Sequence, residues 1–203
     1  MLLDRDGVLN RLVPRSPGGR QGEAPLSAGQ VVLVPGAARA LVRLRAEGFL
    51  LAVVTNQPAV AKGEVEAVEL RRVHAQVLGL LAGRGATVDA LRLCLHHPEG
   101  RPGHPLSIAC ACRKPAPGML LSVLAQLGAD PAQSWMVGDS DSDTAAGRAA
   151  GLTTVLVESE LGAHKRSGRP APDARVADVT AAVELIVARR RTAVRPGEPP
   201  TSI

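Results

Sequence analysis

The 203 residues predict a doubly wound α/β fold, a parallel sheet with helices on both faces. Short unbroken aliphatic runs, the pattern of strands buried on both faces, alternate with segments whose apolar residues recur at helical spacing. Alternation of this kind implies parallel strands joined by right-handed crossovers. Composition points the same way. With one Phe, one Trp and no Tyr among 45% hydrophobic residues, the core must be packed from Ala, Val and Leu, which suits such strands.

The elements follow in order. Met1-Leu2-Leu3 is the first strand, short beside the five or six residues of a typical one, so either the strand is short or the true start lies upstream of Met1. Residues 11–30 hold Pro14, Pro17, Gly18, Gly19, Gly22 and Pro25 and read as a loop. Because that loop leaves a strand end it would lie over the pocket, making Arg15 and Arg20 candidate substrate contacts against the alternative of a solvated loop. Ala37, Ala40, Leu41 and Leu44 mark a helix stopped by Gly48. Residues 49–54 form the second strand, 65–81 a helix, and 88–94 the third strand. A helix follows from Gly118 through Leu124, then strands at 134–137 and 153–157, and a short strand and closing helix within 170–189. Residues 1–190 are expected to form one domain without a large cap, and 191–203 a disordered tail rich in Pro, Gly and Thr.

The chemistry sits at strand ends. Asp4-Arg5-Asp6-Gly7 follows the first strand, and Gly138-Asp139-Ser140-Asp141-Ser142-Asp143 follows the fourth. Residues i and i+2 of an extended segment point the same way, so Asp4 and Asp6 can face one cavity, where one carboxylate attacks phosphorus and the other handles a proton. Two separated carboxylate clusters of this kind point to phosphoryl transfer on magnesium. Thr55-Asn56-Gln57 ends the second strand with a hydroxyl and two amides that can donate to phosphoryl oxygens. Lys114 lies near a predicted helix N-terminus, where anions are favoured and a cation neutralises developing charge.

In this order, Asp-x-Asp, Thr, Lys and Gly-Asp-x-x-x-Asp resemble the haloacid dehalogenase superfamily of phosphatases over residues 1–157. The resemblance implies a Rossmann-like fold with Asp4 as the nucleophile that forms an aspartyl-phosphate. It makes Asp6 the acid that protonates the leaving oxygen and then activates water, and it gives Thr55 and Lys114 the transferring phosphoryl group. Asp4, the Asp6 backbone carbonyl and Asp139 would hold Mg²⁺, a hard cation suited to oxygen ligands. Asp143 would support that shell, and Asp141 reads as a helix N-terminal carboxylate.

All three cysteines fall between positions 94 and 112, as Cys94-Leu95-His96-His97 and Cys110-Ala111-Cys112. An odd count without a secretory signal argues against a disulfide framework. Three thiolates and the His96 imidazole instead make a closed tetrahedral set for structural Zn²⁺. The intervening loop, with Pro98, Gly100, Pro102, Gly103 and Pro105, has little apolar surface to bury, and a metal would fix it. His97 reads as structural and His104 as solvated. This loop with its Cys-x-Cys-Arg-Lys-Pro-x-Pro-Gly-Met-Leu continuation resembles the D-glycero-D-manno-heptose 1,7-bisphosphate phosphatases, which share the zinc loop with histidinol-phosphate phosphatases. Asn56-Gln57 and Ala61-Lys62-Gly63 fit the same family, while Pro58-Ala59-Val60 departs from its usual Ser-Gly-Ile. The resemblance implies cleavage of the 7-phosphate, with Asn56 and Gln57 as substrate contacts and Arg113 on the second phosphate or the sugar.

The net charge of +5 is concentrated near the C-terminus, where residues 189–203 carry four arginines against one glutamate and leave only +2 for the other 188 residues. Scarce aromatics oppose base stacking, and no run approaches the length of a membrane span. The expectation is a cytoplasmic, monomeric enzyme acting on a small sugar phosphate, with no nucleic-acid or membrane partner. The rivals are a histidinol-phosphate phosphatase, a nucleic-acid 3′-phosphatase, and a non-catalytic zinc-stabilised binding module.

Overall fold

The computed structural model describes residues 1–193. In chain order the elements are β1 (Leu2–Leu3), β2 (Val13–Pro14), β3 (Gly22–Glu23), α1 (Ala37–Ala46), β4 (Ala52–Asn56), α2 (Ala67–Ala82) and β5 (Ala90–Cys94). They continue with α3 (Gly118–Leu127), β6 (Trp135–Gly138), α4 (Asp141–Ala149), β7 (Thr153–Val157), β8 (Ala174–Val176) and α5 (Val179–Ala193). Six strands form one sheet in the order β5-β4-β1-β6-β7-β8, and each neighbouring pair is parallel.

The winding explains where the site must be. From β1 the chain builds outward through β4 to β5, then returns to the other side of β1 and builds through β6, β7 and β8. The order therefore reverses beside β1, and open α/β sheets bind ligands at such a point, outside the carboxyl ends of the strands. Although β1 has only two residues, it is paired on both edges, with Leu3 opposite Val53 and Val137.

Aliphatic packing on both faces holds this sheet. Leu41 and Leu44 of α1, Val73, Val77 and Leu81 of α2, and Val183 and Ile186 of α5 share one buried cluster with Leu3, Val53 and Val137. Met119, Leu120, Val123 and Leu124 of α3 and Ala146 of α4 cover the other face against Leu2, Val54 and Met136. Alternate side chains of each strand thus face opposite layers. Fully burying a Leu or Val contributes roughly 1.5–3 kcal/mol, so the two layers anchor the strand ends that carry the site.

Three boundaries differ from expectation. Residues 11–30 are not featureless: β2 and β3 pair antiparallel, with Val13 opposite Glu23. The second strand starts at Ala52 rather than Phe49, because the chain is still leaving α1 there, with Phe49 N donating to Leu44 O. Residues 191–193, placed in the expected tail, lie in the last turn of α5, and residues 194–203 lie outside the described residues.

Candidate active site

Asp4 leaves β1, Thr55 sits near the end of β4, and Asp139 follows β6, so three adjacent strands deliver their polar residues to one edge of the sheet. All three are buried. Asp4 N donates to Val137 O at 2.8 Å, which pins the chain to β6 as it leaves the sheet. Asp4, Asp139 and Asp143 offer carboxylate oxygens within 4.8 Å of one another. Two close approaches make that possible. A Cβ on Gly7, whose φ is +87°, would stand 2.3 Å from Asp139 Oδ2, and a Cβ on Gly138 would stand 2.2 Å from Asp143 Cβ.

Lys114 supplies the first counter-charge. Its buried ammonium lies 3.0 Å from Asp4 Oδ1 and 2.5 Å from Asp143 Oδ1, and donates to Val54 O at 2.8 Å. Burial pushes the Lys114 pKa down, but the charges of Asp143 and Asp4 outweigh it and raise the pKa. As expected, the lysine lies just ahead of a helix, α3, which begins at Gly118. Asn56 fixes its backbone: the Lys114 N–H donates to Asn56 Oδ1 at 3.1 Å, and Asn56 Nδ2 donates to Lys114 O at 2.9 Å. Both ends of that amide are thereby engaged inside the protein.

Lys165 supplies the second cation, and no sequence pattern marked it. It closes a short 3₁₀ stretch, Glu160–Lys165, and its Nζ lies 3.1 Å from Asp139 Oδ2. Arg166 fastens the segment, donating to Ser159 O at 2.6 Å and Asp139 O at 3.3 Å. Burial pushes Asp139 up to about 7; Lys165 opposes the rise, and Asp4 and Asp143 add to it. Asp4 is also raised, by burial first and against the pull of Lys114. The excess of negative charge, together with an Asp4 Oδ1 that lacks an aligned hydrogen bond, fits a divalent cation with a preference for oxygen.

Asp143 is the N3 residue of α4. Its Oδ2 accepts from Ser140 N and Oγ at 3.1 and 2.5 Å, a capping box, while its other oxygen meets Lys114. Asp141 opens α4 and accepts from Ser167 N and, at 2.6 Å, Ser167 Oγ.

Asp6 departs from the expected geometry. The extended backbone ends at Asp4, so alternation no longer sets its direction, and its carboxylate lies outside the Asp4, Asp139 and Asp143 cluster. It turns onto Arg5, whose Nε and Nη2 donate to Asp6 Oδ1 at 3.1 and 2.9 Å and whose Nη2 also reaches Oδ2 at 2.9 Å. Asn10 Nδ2 donates to Oδ1 at 2.9 Å and Gln57 Nε2 to Oδ2 at 2.6 Å. Burial alone would raise the Asp6 pKa, but the Arg5 guanidinium and these hydrogen bonds hold it below the ordinary value. Gln57 Nε2 also reaches Thr55 Oγ1 at 2.9 Å, which links Asp6 to the threonine.

A cavity of about 300 Å³ opens beside Gln57, lined by Arg15, Glu23, Pro58, Lys62 and Glu64 among others. Arg15 pairs with Glu23 at 3.0 Å, whereas Arg20 is not part of the lining. Arg113 is half-buried beside the cysteine loop and donates to His96 O at 3.2 Å; burial lowers its pKa.

Cys94, His96, Cys110 and Cys112 converge on a second point, with one donor atom from each within 4.8 Å of the others. The sulfur pairs are 3.3–3.6 Å apart, and His96 Nδ1 lies 3.8 Å from Cys94 Sγ and 3.5 Å from Cys112 Sγ. The edge of a tetrahedron with Zn–S bonds of about 2.3 Å is roughly 3.8 Å, so the donor set fits zinc. His97 and His104 stand outside this cluster; their Nδ1 atoms accept from Glu99 N and Leu106 N.

A parallel sheet with a buried aspartate after its central strand and a lysine-bridged acidic cluster defines a haloacid dehalogenase-like hydrolase. A HAD-hydrolase-like family model matches residues 111–182. A D-glycero-β-D-manno-heptose-1,7-bisphosphate 7-phosphatase of Rhodopseudomonas palustris is 36% identical over 158 residues, covering 78% of this chain and 82% of that protein. The α-anomer counterpart of Mycobacterium tuberculosis is 39% identical over 144 residues, 70% and 68% of the two chains. A crystal structure of D,D-heptose 1,7-bisphosphate phosphatase from B. bronchiseptica, complexed with magnesium and phosphate, superimposes with a TM-score of 0.76 at 30% identity, covering 93% of this chain and 98% of that one. The chain belongs to the HAD-like phosphatase family of these heptose-bisphosphate 7-phosphatases.

Proposed function

We propose that the protein removes the 7-phosphate of D-glycero-D-manno-heptose 1,7-bisphosphate through an aspartyl-phosphate on Asp4. The observation that carries this reading is the buried junction of Asp4, Asp139, Asp143 and Lys114 at the strand ends. The names of the relatives support the substrate.

The Asp4 carboxylate attacks phosphorus in line with the sugar oxygen. Lys114 neutralises the charge that builds on the transferring oxygens, and Thr55 donates its hydroxyl. Asp6 is ionised in the free protein, takes up a proton when the substrate's phosphate anion adds like charge beside it, and delivers that proton to the departing alkoxide as the phosphorus–sugar oxygen bond breaks. Asp6 then takes a proton from water, which attacks phosphorus and frees Asp4. Asp4, the Asp6 backbone carbonyl and Asp139 would hold Mg²⁺, which supplies charge stabilisation when bound. Asn56 acts through Lys114, and Gln57 through Asp6 and Thr55, beside the cavity that receives the sugar. Cys94, His96, Cys110 and Cys112 would hold a structural Zn²⁺.

Arg113, on the same turn as Lys114, reads the second phosphate, a group its fork fits. Among the described residues no helix is long and apolar enough to cross a membrane; our reading is of a monomeric cytoplasmic enzyme whose partner is a small sugar phosphate.

Phosphate release from both anomers of heptose 1,7-bisphosphate, heptose 7-phosphate, histidinol phosphate and a 3′-phosphorylated oligonucleotide tests the reading. A heptose bisphosphate should give the highest kcat/KM. Arg113→Ala should lower it roughly ten- to hundredfold, and far less on the monophosphate. Higher efficiency on histidinol phosphate or the oligonucleotide would overturn the substrate, and equal losses on bisphosphate and monophosphate would overturn the role of Arg113.

A further inference from the structure

Arg5 has no part in the chemistry above, yet its side chain is the largest fully buried one among the described residues, with 1% exposed. Burying a guanidinium costs several kcal/mol before any partner is counted, and an aliphatic residue would fill the same volume without that cost. The environment of Arg5 gives it a directional task. Its Nε and Nη2 grip Asp6, Nη2 also donates to Gln57 Oε1 at 3.0 Å, and Nη1 lies 2.9 and 3.1 Å from the two ring nitrogens of His74.

His74 stands on the buried face of α2. A neutral imidazole offers one acceptor nitrogen and an imidazolium offers none, so the histidine fits beside Arg5 only when neutral. Burial and the Arg5 charge favour that state. His74 is thus an acceptor that fixes one arm of the fork from a helix, while the other arm fixes a carboxylate on the loop after β1. A planar fork held at both ends leaves the Asp6 carboxylate one orientation.

We propose that Arg5 and His74 are a buried positioning pair that sets the place of the Asp6 carboxylate for proton transfer. The proposal rests on the phosphatase reading. Neither residue would touch substrate, and both act through Asp6. The consequence concerns the first half of the reaction. When the leaving group is a sugar alkoxide, breaking the phosphorus–oxygen bond needs a proton from a well-placed Asp6. When it is p-nitrophenolate, the bond breaks without one. Because kcat/KM reports only the steps through formation of the aspartyl-phosphate, comparing the two substrates isolates the placement of Asp6 from every later step.

The test is kcat/KM on heptose 1,7-bisphosphate and on p-nitrophenyl phosphate for the wild type, His74→Leu, His74→Gln and Arg5→Lys, with thermal melting of each. A positioned general acid contributes about 10²–10⁴-fold. Partial loss of its support in His74→Leu should lower kcat/KM on the sugar phosphate roughly ten- to hundredfold, and on the aryl phosphate by less than about threefold. His74→Gln restores an acceptor and should recover most of the loss. Arg5→Lys keeps the charge but not the fork, and should show the same selective defect should His74→Leu fail to fold.

Equal losses on the two substrates, or sugar phosphate rates within about twofold of wild type in the folded variants, would overturn the positioning role and leave the phosphatase reading intact. Failure of the wild type on every phosphate ester would overturn that reading and this inference with it. A wild type active only on the sugar leaves the decision to the His74→Gln recovery, whose absence overturns the proposal.

Discussion

The acidic cluster and the cysteine cluster are built in opposite ways. Asp4 and the pair Asp139 and Asp143 come from distant parts of the chain and meet because two neighbouring strands, β1 and β6, end together. They bring their own cations, Lys114 and Lys165, so the fold presents a largely formed anionic site. The four Cys and His donors lie within residues 94–112, in a Pro- and Gly-rich loop that adds little to either buried cluster beyond Cys94. Packing organises the first site, whereas the second has little packing of its own and would be held by the proposed zinc. Loss of a donor should therefore affect chemistry at one place and stability at the other.

The largest effect belongs to Asp4→Asn, which removes the nucleophile and a negative charge with almost no change in volume. Turnover should fall to below about a hundredth of wild type, with the melting temperature little changed. A variant that keeps more than that rate would exclude Asp4 as nucleophile and dissolve the contrast.

Cys110→Ser should do the reverse. The protein should lose bound zinc and melt at least about 5 °C lower, since a domain of this size shifts by roughly 2–4 °C per kcal/mol, while turnover persists below the transition. Abolished turnover with the loop still ordered, followed by hydrogen exchange, would show that the two clusters are not separable.

A smaller effect concerns pH. A carboxyl whose folded-state pKa is raised favours folding while protonated. Asp139, pushed from 3.8 up to about 7, thus contributes stability fully below about pH 4 and loses it as pH rises through about 7. Magnesium must displace that proton at low pH and meets a carboxylate at high pH. Mg²⁺ should accordingly raise the melting temperature of the metal-depleted protein by a few degrees more at about pH 8 than at about pH 5.5. A shift independent of pH would remove Asp139 from the metal site.

Much of this contrast was legible in the sequence. Aliphatic runs announced most strands of the six-stranded sheet, strand ends pointed to Asp4, Thr55 and Asp139, and the approach to α3 pointed to Lys114. Local pattern could not reveal what tertiary context decides. The direction of Asp6 depends on a buried Arg5 and on Gln57, about fifty residues away in sequence. His74 reads as one more residue of an apolar helix stripe, between Leu70 and Val77. Lys165 lies in a segment whose course is set by Arg166 hydrogen bonds to Asp139 and Ser159, with no periodicity to mark it. The β2 and β3 pair was hidden by the prolines and glycines that also make turns.

The central claim is that Asp4 carries the phosphoryl group. Its most direct test is rapid acid quench of the working enzyme with heptose 1,7-bisphosphate, followed by mass spectrometry of the peptides. The expected result is a phosphoryl adduct on the peptide that contains Asp4, formed within a turnover and absent from Asp4→Asn. A burst of released phosphate with no adduct on that peptide, or an adduct on another residue, would contradict it.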